Sequence, residues 1–446
     1  MSFDDSELIP PGSRLLYIGP PKTGTSTLQR AARARRQVLL ENGVLYPGTS
    51  LNHQLEVAAL LNRRLWRDRS IKRRLNPGSA GAVPAMSKWE ELMGEVNNEQ
   101  TRRILISSEL AGSATEEEAS KLVDALGPNK THVVITLRPL SAMLPSRWIQ
   151  SVKALGLADS FETWLKRIYG DLGPPISPGV QRYLDQGGLV ERWANCVGAE
   201  NTTVIILDKP DRLTNSFEKM LGLPDRTLTG AVSGGHATNR SLTKPEAEIF
   251  QRANHIITND DAVSWPIYYD TIVFGASSQI LNTRQPNESE PKLRLPNWAA
   301  ERANHDAKQY ADQIAKSKVN IIGPLSALEF DTTEHANPTI GTTVDECIEI
   351  AAEALAGAYK GAKRFETKIL KQTGTATKSK RRTKPDENQK TKMAEMPKTE
   401  RINVAVNTFS TKELLQAVRI RIQMRYISKL KKSTKAFVQK NQRDKP

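Results

Sequence analysis

The sequence predicts an α/β protein with a central parallel sheet of about five strands, covered by helices on both faces. Three observations carry that prediction. Strand-like and helix-like stretches alternate five times before residue 210, an order that calls for crossover connections between parallel strands. The strand-like stretches, such as His132–Leu137 and Thr203–Leu207, are largely apolar and β-branched, without the polar alternation of a half-solvated sheet. The first of them, Leu15–Ile18, runs through a Gly/Pro-rich loop straight into a helix.

Each element follows from its own residues. After Leu15–Ile18, a turn is set by Gly19, Pro20, Pro21 and Gly24. Thr25 or Ser26 can cap the helix that continues through Ala32. Gly43–Tyr46 reads as a second strand, stopped by Pro47-Gly48, with a loop through His53 and a helix over Gln54–Leu61. Ser87–Asn97 reads as helix. Arg103–Ser107 is the third strand, and a capped amphipathic helix spans Ala114–Leu126, with Ser113 or Thr115 ahead of three glutamates. The strand at 132–137 leads into a helix over Ser141–Ala154, and Phe161–Ile168 and Leu184–Val197 are helical. Past the fifth strand, residues 234–242 read as a loop before a helix over Lys244–Ile256, and residues 275–297 as a long loop. A helix over Asn297–Ala315, a short strand at Val319–Ile322 and a helix over Val344–Arg364 complete the folded part.

Charge divides the chain differently. The 446 residues carry a net charge of +15, but Lys371–Pro446 alone holds 21 Lys/Arg against 6 Asp/Glu. The preceding 370 residues hold 43 of each sign, so the excess positive charge lies wholly in the tail. The expected organisation is an α/β domain with a helical C-terminal part over 1–370, a linker over 371–400 and a basic amphipathic helical tail over 401–446. An argument for nucleic acid binding from net charge therefore applies only to the tail. Two cysteines and six scattered histidines suggest neither a disulfide framework nor a metal site. The acidic N-terminus has no apolar core and no apolar run reaches 18 residues, so a cytoplasmic setting is expected.

The first loop carries the chemistry. A strand, a tight loop and a helix start aim successive N–H groups at one spot, which makes an anion site. Lys22 adds a charge there, and Thr23, Thr25, Ser26 and Thr27 add hydroxyls around Gly24. Gly19 and Gly24 have the spacing of the triphosphate loop G-x-x-x-x-G-K-[ST], yet Thr25 stands where that loop has its lysine. The order P-P-K-T-G-T-S-T instead resembles the 5′-phosphosulfate loop of sulfotransferases that use 3′-phosphoadenosine 5′-phosphosulfate. Arg138 ends a strand, and Ser146 lies eight residues on in the next helix. An arginine fork and a helix hydroxyl suit a phosphate, and the pair has the spacing of that family's 3′-phosphate site. Together the two stretches resemble a bacterial, actinobacterial-type sulfotransferase related to carbohydrate sulfotransferases.

The resemblance implies a P-loop-like α/β fold and sulfuryl transfer from 3′-phosphoadenosine 5′-phosphosulfate to a hydroxyl, with no metal. Lys22 would stabilise the leaving oxygen. The base would be a histidine or glutamate near the sulfur. His53 and Glu109 both follow strands at the expected end, and the choice between them stays open. Arg240 is the substitute for a purine-contacting loop that has no clear match. The implied acceptor is a carbohydrate or glycolipid. The tail has two readings, contact with an anionic membrane at its inner face, or a solvated helix that docks on the domain or a partner. Two rival readings are a P-loop kinase, which needs magnesium and a triphosphate, and a non-catalytic nucleotide-binding module whose tail binds a polyanion. Trp66, Trp89 and Trp148 have the chemistry to stack on a sugar face, but lone tryptophans are more often core, and no role is assigned to them.

Overall fold

The computed structural model describes residues 8–65, 83–233, 240–257, 265–287, 290–332 and 344–372. Trp66, most of the 234–242 loop, nearly all of the linker and the basic tail lie outside them. Among the described residues no helix is long and apolar enough to cross a membrane.

Six strands form one parallel sheet. They are β1 (Arg14–Ile18), β2 (Val44–Leu45), β3 (Arg103–Ser107), β4 (Thr131–Leu137), β5 (Thr202–Ile206) and β6 (Asn320–Ile322). Their order is β2-β3-β1-β4-β5-β6. The register is direct: Leu15 pairs with Leu105, Leu16 with Val133, Ile135 with Val204, and Val204 with Ile321. The sixth strand extends the expected five because the short stretch near Val319 adds to β5 at the sheet edge.

The apolar runs of β1, β4 and β5 explain their central places. Every residue of these three strands is buried. Successive side chains of a strand leave by opposite faces, so each run feeds two cores. Leu16, Ile18, Ile106, Ile135 and Ile206 join one core with Trp193. Leu15, Tyr17, Leu105, Val134 and Ile205 join the other with Leu28 and Phe217. Trp89 and Trp148 are both buried, as the sequence suggests for core tryptophans.

The helix boundaries show what local sequence can and cannot decide. Thr115 caps the Glu116–Leu126 helix in a reciprocal box with Glu118. The first helix, Thr25–Ala34, differs from expectation. Gly24 caps it at φ 84°, and Thr25 is its first residue. The expected Leu184–Val197 helix is two helices, Pro178–Leu184 and Gln186–Val197. Asp185 separates them, and its side chain accepts from the Gly188 N–H. The expected loop from 275 is helical as far as Thr283, and the Val344 helix runs on to Gln372.

The described residues group into two compact units. The first comprises Met1–Trp265 and Leu281–Ala351 and contains the whole sheet. The second comprises Pro266–Ile280 and Ala352–Pro446. Within the second unit, backbones approach closely at Gly275 and Gly357, where a Cβ on either would lie within 2.5 Å of the other's carbonyl oxygen. The Arg364–Asp270 pair and the Gln279–Glu353 hydrogen bond flank that crossing.

Candidate active site

The connection after β1 runs to one side, to β2 beyond β3, and the connection after β4 runs to the other side, to β5, so the order reverses between β1 and β4. Parallel sheets bind ligands in the crevice outside the carboxyl ends of strands at such a switch point. The Gly19–Gly24 loop occupies that place. A Cβ on Gly19 would come within 2.8 Å of Thr136 Oγ1, Thr23 Oγ1 and Thr25 Cγ2, so only glycine fits. Gly24 needs the left-handed backbone that starts the helix. Lys22 also adopts it, at φ 78°, which strains a residue with a side chain.

The loop is braced from beneath by a hydroxyl chain. Tyr17 bonds Thr136, Thr136 donates to Thr23 at 2.8 Å, and Thr23 donates to the Pro20 carbonyl at 2.7 Å. Above it, the first N–H groups of the Thr25–Ala34 helix have no intrahelical carbonyl, and its first turn contains no acid. Such a helix start favours an external anion.

A cleft of about 570 Å³ opens over the loop. It is lined by Lys22, Gly24, Thr25, Ser26 and Thr27 from the loop and helix start, by Glu109 after β3, and by Arg138 and Ser146 after β4. Arg240 and Leu242 close another part of the wall. The structure thus brings together most of the residues read from the sequence. A second cleft of about 380 Å³ shares Lys22, Gly24, Thr27 and Arg138 and continues along Leu207–Asp211, Leu213 and Thr214.

Two expected residues do not reach the cleft. Thr23 is fully buried, and its hydroxyl is spent on the loop's own carbonyl. His53 is buried at 2% exposure and holds two strand ends together. Its Nδ1 accepts from the Ser107 N–H at 3.0 Å, which requires that nitrogen to be unprotonated. Its Nε2 then donates to the Pro47 carbonyl at 3.1 Å. Burial drops its pKa to about 4, against weaker support from those backbone bonds. A ring with both nitrogens engaged cannot accept an acceptor's proton, so His53 is corrected from candidate base to structural residue.

Glu109, unlike His53, lines the cleft. It opens the turn Glu109–Ser113 directly after β3, and the Ser108 N–H fixes that turn to the Tyr17 carbonyl of β1. Its carboxylate accepts a hydrogen bond from Thr25 Oγ1. Burial raises its pKa, opposed by Thr25, Arg147 and Lys22. A carboxylate with a raised pKa holds an abstracted proton more readily than a free one.

The cations are crowded. Six of them line the cleft, Lys22, Arg30, Arg138, Arg147, Lys153 and Arg240, against the single carboxylate of Glu109. Burial first, and then the charges of Lys153, Arg147 and Arg138, lower Lys22 to about 8, with Glu109 opposing. Lys22 Nζ donates to Gln150 Oε1 at 3.1 Å, and Arg138 donates to the Lys22 carbonyl at 3.3 Å. Gln186 in turn holds the Arg138 carbonyl at 2.8 Å. Arg240 lines the cleft with its fork turned to Glu246, at 2.7 and 2.9 Å. Glu246 is also held by Arg284, which pairs with Glu290 within the same buried network.

Several lining residues escape the sequence reading, Arg30 and three on one later helix among them. Arg147, Gln150 and Lys153 lie on the Leu140–Leu155 helix with Ser146. Ser146, Gln150 and Lys153 recur at intervals of four and three, the period of one helix face. That polar stripe on an otherwise apolar helix was a readable signal.

No protein-family model matches the chain, and no curated protein matches it. Among solved structures, a sulfotransferase from Alicyclobacillus acidocaldarius is 15% identical over 56% of this chain and 96% of its own, with a TM-score of 0.33. The sulfotransferase domain from the curacin biosynthetic pathway is 11% identical over 69% of this chain and 98% of its own, with a TM-score of 0.29. Similarity at this level says nothing of the reaction, which has to be read from the cleft itself.

Proposed function

We propose that the cleft transfers a sulfuryl group from 3′-phosphoadenosine 5′-phosphosulfate to a hydroxyl on a carbohydrate-class acceptor. One observation carries the reading: Lys22, the open helix start at Thr25 and the Arg138–Ser146 pair line a single cleft, with one carboxylate facing them. Two anion sites beside one potential base suit a donor with two phosphates and an acceptor that must lose a proton. The donor's 5′-phosphosulfate lies on Lys22 and the N–H groups and hydroxyls of Thr25, Ser26 and Thr27. Arg138 and Ser146 hold the 3′-phosphate. Leu207, Pro210 and Leu213 of the smaller cleft offer the purine an apolar face.

The acceptor oxygen attacks sulfur in line as Glu109 takes its proton. A new S–O bond forms, and the bond from sulfur to the bridging oxygen breaks. That oxygen leaves with the electron pair on the 5′-phosphate, where the Lys22 ammonium neutralises it. The assistance is positioning plus electrostatics, as in phosphoryl transfer. In a P-loop kinase a lysine would stand at position 25, whereas Thr25 here donates to Glu109.

Calorimetric titration with adenosine 3′,5′-bisphosphate, without divalent metal, tests the donor site. Binding to the wild type and a loss of about tenfold to a hundredfold in Arg138→Ala is expected, the size of a charge-assisted contact. Binding of magnesium-ATP in place of the bisphosphate would remove the reading.

A further inference from the structure

Among the described residues, the donor leaves one half-buried cation of the cleft without a task; Arg30, which also lines it, is exposed and donates to the Ser26 carbonyl of its own helix. Lys153 is half-buried and lines the cleft, yet no hydrogen bond or ion pair reaches it among the described residues. Its charge bears on Lys22, another cation. Burial alone lowers its pKa, with no carboxylate opposing. Arg147 differs, because it stacks on the Tyr183 ring at 5.8 Å and acts on Glu109. Arg240 differs too, because Glu246 holds its fork.

The helix geometry says where Lys153 acts. Ser146 and Lys153 lie on one face, about 10 Å apart along the axis at 1.5 Å per residue. Gln150 lies between them and holds the Lys22 ammonium. The order along the helix is therefore 3′-phosphate at Ser146, phosphosulfate at Lys22, and then Lys153. The apolar face offered to the purine belongs to the second cleft, whose lining does not include Lys153. Lys153 thus lines the first cleft past Lys22 as counted along the helix from Ser146.

Resting on the donor reading above, we propose that the acceptor is anionic, a sugar or similar polyol bearing a carboxylate or ester anion near the reacting hydroxyl, and that Lys153 binds this group. An uncompensated, half-buried cation in a group of cations raises the energy of the empty site. An anion on the substrate relieves it and places the hydroxyl between Glu109 and sulfur. A neutral acceptor would leave that charge unanswered.

The test uses the full chain saturated with adenosine 3′,5′-bisphosphate. It is titrated with p-nitrophenyl β-D-glucuronide and with p-nitrophenyl β-D-glucoside, which differ only at C6, a carboxylate in the first and a hydroxymethyl group in the second. The glucuronide is expected to bind at least about tenfold more tightly, as for one charge-assisted contact. In Lys153→Gln the preference should fall to near unity while bisphosphate affinity stays within about threefold, which also reports that the variant is folded. Lys153→Arg should restore the preference. Equal binding of the two glycosides to the wild type, or binding of neither, overturns the proposal. So does loss of the bisphosphate in Lys153→Gln, which would give Lys153 to the donor. If the wild type fails to bind the bisphosphate, the donor reading falls first and the inference with it.

Discussion

Replacing Lys22 with glycine is expected to stabilise the protein and remove its activity. The residue sits at φ 78°, a conformation that costs a side chain on the order of 1–2 kcal/mol. Glycine adopts it freely, though it returns up to about 1 kcal/mol through the entropy of the unfolded chain. The larger contribution is electrostatic. Burial and neighbouring cations bring Lys22 to about 8 from its ordinary 10.5. At about 1.4 kcal/mol per unit, that is roughly 3 kcal/mol against the fold at pH 7, and about half that after solvent screening. Loss of the Lys22–Gln150 hydrogen bond subtracts about 1 kcal/mol. The net gain is about 1 kcal/mol, or roughly 2 °C in Tm. The sign carries a pH signature. The penalty is complete below the folded pKa and fades between pH 8 and 10.5, where the folded state sheds its proton first. Wild-type stability therefore rises through that window relative to Lys22→Gly. Lys22→Met, which keeps the strained backbone and loses the charge, separates the two contributions. Thermal melts at pH 7 and 9.5, with transfer rates alongside, make the assay. Transfer should fall by about 10²–10³ for both variants, as for loss of one oxyanion donor. A Lys22→Gly variant less stable than wild type by 1 °C or more, or equally active, would refute the reasoning.

Other residues give sharper separations of stability from chemistry. Glu109→Gln should lower kcat by about 10²–10⁴ with bisphosphate affinity retained, and an unchanged kcat would exclude it as the base. In the wild type, kcat/KM should climb as Glu109 ionises through its raised pKa and decline above about 8 as Lys22 loses its proton; a flat profile across pH 6–9 contradicts this pair. His53→Ala strands the Ser107 N–H and the Pro47 carbonyl, so stability should drop by about 2 kcal/mol with the transfer rate per folded molecule unaltered. Because His53 and His132 are both lowered to about 4, the wild type should lose stability as pH falls from 6.5 toward 4, by up to about 1.4 kcal/mol per unit for each ring. Denaturant titrations at pH 7.5 and 5 would show it. Arg284→Met leaves Glu246 and Glu290 buried without their shared partner, and about 3–5 kcal/mol of stability should go with it, read from the same titrations.

What the sequence disclosed was local. The β1 strand, its Gly/Pro loop and the helix after Gly24 are contiguous, and their signals lie within twenty residues of one another. Arg138 and Ser146 were readable for the same reason, since β4 runs directly into their helix. His53 shows the opposite case. Its place after a strand is a sequence fact, but its neutral, fully bonded ring depends on Ser107, which reaches it through the sheet. The Glu109 carboxylate likewise takes its hydrogen bond from Thr25, 84 residues away along the chain. The helical turns over 277–283 were missed because Ser277-Ser278 and the nearby Asn and Pro residues carry loop signals that tertiary packing overrides. Arg147, Gln150 and Lys153 were a different miss. Their period was visible, but nothing local says which face of a helix looks into a cleft.

The central claim is that this cleft moves a sulfuryl group. The most direct measurement offers the protein two donors side by side with one panel of hydroxyl acceptors, neutral and anionic glycosides together. One donor is 3′-phosphoadenosine 5′-phosphosulfate labelled with sulfur-35, and the other is magnesium-ATP labelled at its γ-phosphate. The account predicts sulfur label on an acceptor with release of adenosine 3′,5′-bisphosphate, lost in Lys22→Met and Glu109→Gln, and no phosphate transfer. Phosphate label on the acceptor, or sulfur transfer that survives both substitutions, would contradict it.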